Sequence, residues 1–357
     1  MKSSRPRDVR PLAAITAGDP CGIGPDVILQ SLSALNPRLR WVVIGDLRVF
    51  QQAARRRRRA LPHWDVIRTP REAQRGRRLM FLDCAHPGRF TPGRSSRRAG
   101  RASLAYLERA VSLWKQAGLK ALVTAPVTKW AIQASMPRFT GHTEYLARAM
   151  RARDVVMMFA AERLRVVLLT RHLPLDRVTA ALDARLISST LRVTAKALRE
   201  QFGVARPRLA VCGVNPHAGE AGTLGTHERR IMAPVLRRLR ASGVRCDGPF
   251  PADGFFAQAH AYDAVVCAYH DQGLIPFKMA ARDKGCQVTL GLPVVRTSPD
   301  HGSALDIAGT RRAHPGSIRY ALRMAARLAS RGISSPPRAA GPPARSAARL
   351  ALGRSRA

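Results

Sequence analysis

Short apolar runs, each closed by glycine or a polar cluster, alternate along the chain with stretches of helical periodicity. PLAAITA (11–17), WVVIGD (41–46), ALVTAPV (121–127), RVVLLT (165–170), RLAVCGV (208–214) and AVVCA (264–268) are too short for core helices and lack in/out alternation. They predict strands buried on both faces of a sheet. Between them, Leu104, Leu107, Val111, Leu113 and Trp114 repeat at helical spacing through 102–116, and 186–202 and 317–329 do the same. Strands alternating with helices predict an α/β fold with a mostly parallel sheet.

In such folds polar groups placed directly after a buried strand face the ligand crevice. The run at 264–268 is followed by His270, Asp271, Gln272 and Lys278. Similarly, RVVLLT leads to His172, and RLAVCGV leads to Asn215, His217 and Glu220. One histidine after a strand can be a plain loop residue. Three on strand ends of one sheet can converge in a single crevice, and three imidazoles with an open fourth position form a catalytic metal arrangement. After ALVTAPV, FTGHTEYLA opens a helix at His142, Thr143 and Glu144, with Thr140 expected as its cap. A His-Thr pair there can also grip phosphate or hydroxyl groups. PAD places Asp253 in a loop, and VTLGLPVVRTSPDHGSALDIAG carries Arg296, Asp300, His301, Gly302 and Asp306. An arginine in that position can pair bidentately with phosphate or carboxylate.

GDPCGIGPDV (18–27) is a glycine-rich turn from a strand into a helix with Pro25 in its first turn, yet no GxGxxG dinucleotide fingerprint occurs in the chain. The five arginines 55–59 are expected to be solvated, and 87–100, rich in Gly, Pro, Ser and Arg, to be an exposed loop.

Composition narrows the partners. The 357 residues carry 61 basic and 23 acidic side chains, a formal charge of +38. Seven of the 61 are lysines; the remaining 54 are arginines scattered through the whole chain, and aromatic residues are only 5%, too few for a base-stacking surface. The charge therefore reads as a composition bias and argues against nucleic acid as the partner. Six cysteines without a CxxC pair, and no run of about 18 apolar residues, point to a cytoplasmic chain with reduced thiols and no membrane span.

Taken together and in this order, GDPCGIGPD, TAPVTK, FTGHTE, NPHAGE, PAD, YHDQGLIPFK and TLGLPVVRTSPDHGSALDIAG resemble the 4-hydroxythreonine-4-phosphate dehydrogenases of pyridoxal phosphate biosynthesis, over about residues 12–330. HGSALDIAG is also similar to the adenosine-binding loop of isocitrate and isopropylmalate dehydrogenases, which explains the absent GxGxxG. The resemblance implies two α/β/α domains with a cleft between them, in the isocitrate/isopropylmalate dehydrogenase manner: 1–125 plus 290–330 with the nucleotide loop, 126–289 with the metal and substrate site and the dimer interface, and 331–357 as a disordered tail. It implies His172, His217 and His270 as ligands of one divalent metal (zinc, magnesium or cobalt) shared between the subunits of a homodimer. His142, Thr143, Lys278, Gln287 and Arg296 match substrate positions, and Asp300, His301, Gly302 and Asp306 the loop that holds NAD or NADP. Lys278, Asp253 and Asp271 are candidates for proton transfer or ligand orientation. The family has asparagine where Gln287 stands, and Cys21 and Asp26 replace Ala and Glu. The activity implied is NAD-dependent oxidation of 4-phosphooxy-L-threonine with decarboxylation. Dehydrogenases of four-carbon sugar-acid phosphates or dihydrodiol carboxylates are the alternative that Gln287 leaves open.

Overall fold

A computed structural model describes residues 10–331. The expected tail, Arg331 apart, lies outside the described residues. In chain order the elements are β1 (Leu12–Thr16), α1 (Gly24–Leu29), β2 (Arg40–Gly45), α2 (Leu47–Arg56), β3 (Asp65–Ile67), β4 (Leu79–Asp83), α3 (Arg97–Ala117), β5 (Ala121–Thr124), α4 (Lys129–Gln133) and α5 (His142–Ala149). There follow β6 (Val156–Ala161), β7 (Arg165–Leu168), α6 (Val178–Ala181), α7 (Ala184–Glu200), β8 (Leu209–Cys212), α8 (Ala233–Ala241), β9 (Cys246–Phe250) and α9 (Ala252–Phe255). The chain continues through β10 (Ala264–Cys267), α10 (His270–Ala281), β11 (Gly285–Leu290), β12 (Val295–Ser298) and α11 (Gly316–Arg331).

Twelve strands form one sheet in the order β3-β4-β2-β1-β5-β12-β11-β6-β7-β10-β8-β9. The six from β3 to β12 are mutually parallel, as are β7, β10, β8 and β9. Between these blocks, β11 runs antiparallel to both β12 and β6, and β6 antiparallel to β7. The sheet is thus continuous where the sequence suggests a boundary between domains. Strands β1, β2, β5, β8 and β10 are buried at every position, as unbroken apolar runs require when both faces are covered. The antiparallel centre is less apparent in the sequence because β11 and β12 mix buried Gln287, Thr289, Arg296 and Ser298 with apolar residues.

Two segments expected to be solvated or exposed are largely so but are also tied to the core. The 87–100 segment gives its last residues to α3, capped by Ser96 through the Ala99 amide, and it buries Phe90. Among the five arginines 55–59, Arg57 is largely buried, with its Nε 2.9 Å from Asp26, and so ties α2 to α1. The expected Thr140 cap is absent: Gly141 precedes α5 and no side chain caps that end. Among the described residues no helix is long and apolar enough to cross a membrane.

Gly100 sets the approach of α3 to α4, since a Cβ there would stand 1.9 Å from the Ala131 carbonyl oxygen. Backbone cannot yield as a flexible side chain does, so Gly100→Ala is expected to cost about 1–3 kcal/mol as an overpacking change. Chemical denaturation with an unchanged m-value would report it, and full stability in the variant would disprove the contact.

Candidate active site

The register of the antiparallel centre builds the floor of the site. Gln287 stands opposite Ser298 on one side and Phe159 on the other, and Thr289 opposite Arg296 and Met157. Residues directly paired across strands share a face, so all six point to the same side of the sheet. A cavity of about 330 Å³ opens above them, lined also by Thr124 and Lys129, the α5 start at His142 and Thr143, Glu144, His172, His270, Lys278 and the loop 299–302.

Arg296 is 3% exposed. Its guanidinium donates to Thr289 Oγ1 (2.9 Å), to Thr124 Oγ1 (2.6 Å) and to the Gln287 amide oxygen, while its Nε has no partner. Every acceptor is neutral, and Arg296 forms no ion pair among the described residues. Burial lowers its pKa to about 10. Ser298 also donates to the Gln287 oxygen at 2.9 Å, and the Gln287 amide nitrogen donates to Thr289 at 3.0 Å. The extra methylene of glutamine thus carries the carboxamide onto the arginine.

At the rim, His142 has a buried, unpartnered Nε2. Its pKa is pushed well below the usual 6.5 by burial, with Arg296 and Lys129 adding to the shift, so the imidazole is neutral. The His172 and His270 rings lie 5.7 Å apart, and His172 is also lowered, mainly by burial. The His270 Nδ1 lies 2.6 Å from an Asp271 carboxylate oxygen, an arrangement in which Nδ1–H donates to Asp271 and Nε2 keeps its lone pair free. Asp271 thus sits beside His270 rather than in the cavity wall.

His217 is elsewhere. It does not line the cavity, its side chain is 63% exposed, and its nearest charged partner is Glu220 at 3.6 Å. The three histidines therefore do not converge within one chain, and among the described residues no group of three metal-binding side chains is assembled. Two causes are visible: β8 lies beyond β10 from β7, and the exit of β8 turns through left-handed residues from His217 (φ 51°) to Ala221 (φ 54°). Asp253, in the short helix α9, and Asp306 are exposed and also stand outside the cavity. In the segment expected to hold the nucleotide, Asp300, His301 and Gly302 line it, with His301 Nε2 buried and unpartnered. The glycine-rich turn packs behind this segment, where the Ile23 amide donates to the Ser303 carbonyl at 3.1 Å. Thr124, Lys129, Met157, Phe159 and Ser298 also line the cavity, with Thr289 bonded to Arg296 beneath it, and spacing alone assigns none of them a role because strand register brings most of them there.

With the geometry in hand, known proteins supply the comparison. The family described as "Pyridoxal phosphate biosynthetic protein PdxA" matches residues 38–325. The chain belongs to this family. A 4-hydroxythreonine-4-phosphate dehydrogenase of Desulforapulum autotrophicum is 41% identical over 334 residues, covering 89% of this chain and 96% of the relative. The crystal structure of the Klebsiella pneumoniae 4-hydroxythreonine-4-phosphate dehydrogenase superposes with a TM-score of 0.79 at 35% identity, covering 90% of this chain and 98% of that one. A terephthalate 1,2-cis-dihydrodiol dehydrogenase from Burkholderia xenovorans gives a TM-score of 0.61 at 32% identity, covering 88% and 97%. The fold of this PdxA-family member is therefore that of the dehydrogenase structures.

The neutral His142 makes stability depend on pH. An unfolded chain protonates histidine near 6.5 while the folded site resists, so the unfolded state binds more protons and acid favours it. Unfolding free energy is expected to fall below that pH by at most about 1.4 kcal/mol per pH unit for each such histidine. His142→Gln should flatten the slope, leaving the part due to His172; an unchanged slope would contradict a neutral His142.

Proposed function

We propose that this chain catalyses the NAD-dependent oxidation of 4-phosphooxy-L-threonine at its 3-hydroxyl, followed by decarboxylation to 3-amino-2-oxopropyl phosphate, in pyridoxine 5'-phosphate biosynthesis. The observation that carries this reading is the buried Arg296 with only neutral partners, in a cavity also lined by Lys129 and Lys278. A desolvated cation with no carboxylate in contact favours an anionic ligand. The phosphate and carboxylate of the substrate supply two anionic groups for these cations, and Thr143 at the start of α5 adds a hydroxyl.

The donor set suits a divalent metal. His172 and His270 are neighbouring imidazoles, the first held toward the neutral form by burial and the second oriented by Asp271. With His217 as the third ligand they would hold zinc, magnesium or cobalt. A metal bound there supplies Lewis acidity toward the substrate hydroxyl, and NAD or NADP beside Asp300, His301 and Gly302 supplies the hydride acceptor. The exposed His217 supports its donation to the site of a second copy. Exposed apolar side chains beside the His270 helix and the His172 segment, Ile275, Met279, Leu173 and Leu175, support a homodimer. Lys278 holds the anion or assists proton transfer. The six cysteines are unpaired, in keeping with a cytoplasmic enzyme.

Gln287 supports a second reading, in which the substrate is a sugar-acid phosphate or a dihydrodiol carboxylate. Its carboxamide already occupies one face of Arg296, so the anion meets a smaller share of the guanidinium than an asparagine would leave.

NADH formation from 4-phosphooxy-L-threonine, with erythronate 4-phosphate in parallel, decides between them. Activity is expected with the first substrate and should disappear with chelator and in His270→Ala, which should remain folded. Failure to turn over 4-phosphooxy-L-threonine with metal and NAD present would refute the proposed activity. Arg296→Met is expected to lower kcat/KM by on the order of 10–100-fold, the worth of a charge-assisted hydrogen bond or two. Gln287→Asn should instead lower KM for the phosphorylated substrate; a raised KM would mean that glutamine itself contacts the ligand.

A further inference from the structure

The three strand exits that carry the histidines meet at one residue, Ala268, through its amide and its carbonyl. The Ala268 carbonyl accepts from the Thr170 amide at 3.1 Å and from the Thr170 hydroxyl at 2.7 Å. The Ala268 amide donates to Gln272 Oε1 at 2.6 Å, and Gln272 Nε2 donates to the Gly213 carbonyl at 2.7 Å. Thr170 and Ala268 stand two residues before His172 and His270, while Gly213 opens the segment leading to His217. Both ends of the Gln272 carboxamide are therefore committed to main chain, one at the exit of β10 and the other at the exit of β8.

Beyond Gly213 the segment is held as firmly. The buried Glu228 accepts from the Val214 amide (2.8 Å), the Asn215 amide (2.7 Å) and Asn215 Nδ2 (3.0 Å). A Cβ on Gly219 would stand 2.7 Å from that carboxylate, and the chain passes it in the left-handed conformations of 217–221. A displacement at Gly213 is thus passed on to His217 with little slack.

We propose that Gln272 is a positioning residue that sets His270 and His217 relative to each other through one carboxamide, and so links each site's own His270 to the His217 lent to the other subunit. The inference rests on the metal and dimer reading above. Only a group with an acceptor at one end and a donor at the other satisfies both main-chain partners: methionine offers neither, and an ionised glutamate presents an oxygen to the Gly213 carbonyl. Partners of this kind behind metal ligands typically change affinity 10–100-fold.

The test is the zinc affinity of the purified full chain, measured by competition with a chromophoric chelator, beside the thermal midpoint of the metal-free protein. Gln272→Met is expected to raise the zinc Kd about 10–100-fold while the metal-free midpoint moves by only a few degrees. Combined with His217→Ala, it should add less loss than it causes alone, because only the His270 end of the link is then left to position. A Kd equal to that of the unmodified protein in folded Gln272→Met, or full additivity with His217→Ala, would overturn the inference. Should Gln272→Met not fold, Gln272→Glu carries the same expectation, and wild-type affinity there would overturn it equally. Unmodified protein that binds no zinc, magnesium or cobalt would remove the metal reading itself, a failure distinct from that of the link.

Discussion

A buried arginine on the face of the central sheet, held there only by neutral polar side chains, is the constraint on which the site depends. Arg296 can occupy that position only because β11 runs antiparallel between β12 and β6 and brings Thr289 and Gln287 alongside it, with Thr124 supplied by β5. Three neutral oxygens offset part of the desolvation cost but leave the charge without a counter-ion. Parallel strands alone would not give these pairings, because the directly opposed antiparallel partners place Gln287 against Ser298 and Thr289 against Arg296 in one patch. The cavity is therefore a consequence of the one place where the sheet changes direction.

From that patch the chemistry spreads outward by loops that are each tied to the sheet. His142 begins α5 and His270 begins α10, so both imidazoles sit where backbone amides and the helix dipole favour an anion. The amide and carbonyl of Ala268, with the Gln272 carboxamide, then fix how the exits of β7, β10 and β8 stand relative to each other. Rigid support of this kind matters for a metal site because ligand direction, as much as ligand identity, sets affinity.

Much of the fold was legible in the sequence, and for a definite reason. Strands β1, β2, β5, β7, β8 and β10 are apolar runs covered on both faces, and such runs announce themselves. Strands β11 and β12 do not, since Gln287, Thr289, Arg296 and Ser298 break the apolar pattern where the site needs polarity. Their motif was conspicuous but its register was not, so Thr124, Thr289 and Ser298 could not be assigned from spacing. That His217 stands apart from the other two histidines within one chain was not legible from spacing, because the run of left-handed residues that carries it is invisible to apolar periodicity. Asp253 was named from its motif alone, and it lies in a short exposed helix away from the cavity.

The excess of arginine has a structural use that bears on the site. With 23 acidic residues to 61 basic ones, most arginines cannot find a carboxylate. Several find main-chain carbonyls instead: Arg40 reaches those of Arg10 and Ala73, Arg165 that of Asp263, Arg240 that of Cys246 and Arg319 that of Gln30. These guanidiniums close strand ends and fasten helices, which accounts for arginines spread through the chain without a binding stripe. Arg296 differs from them. Its partners are two threonine hydroxyls and a side-chain amide, groups that can rotate away as a carbonyl in the main chain cannot. An arginine held by movable neutral partners at the base of a cavity remains able to turn its charge toward an incoming anion, and that distinguishes it from the structural arginines, Arg40 of similar burial among them.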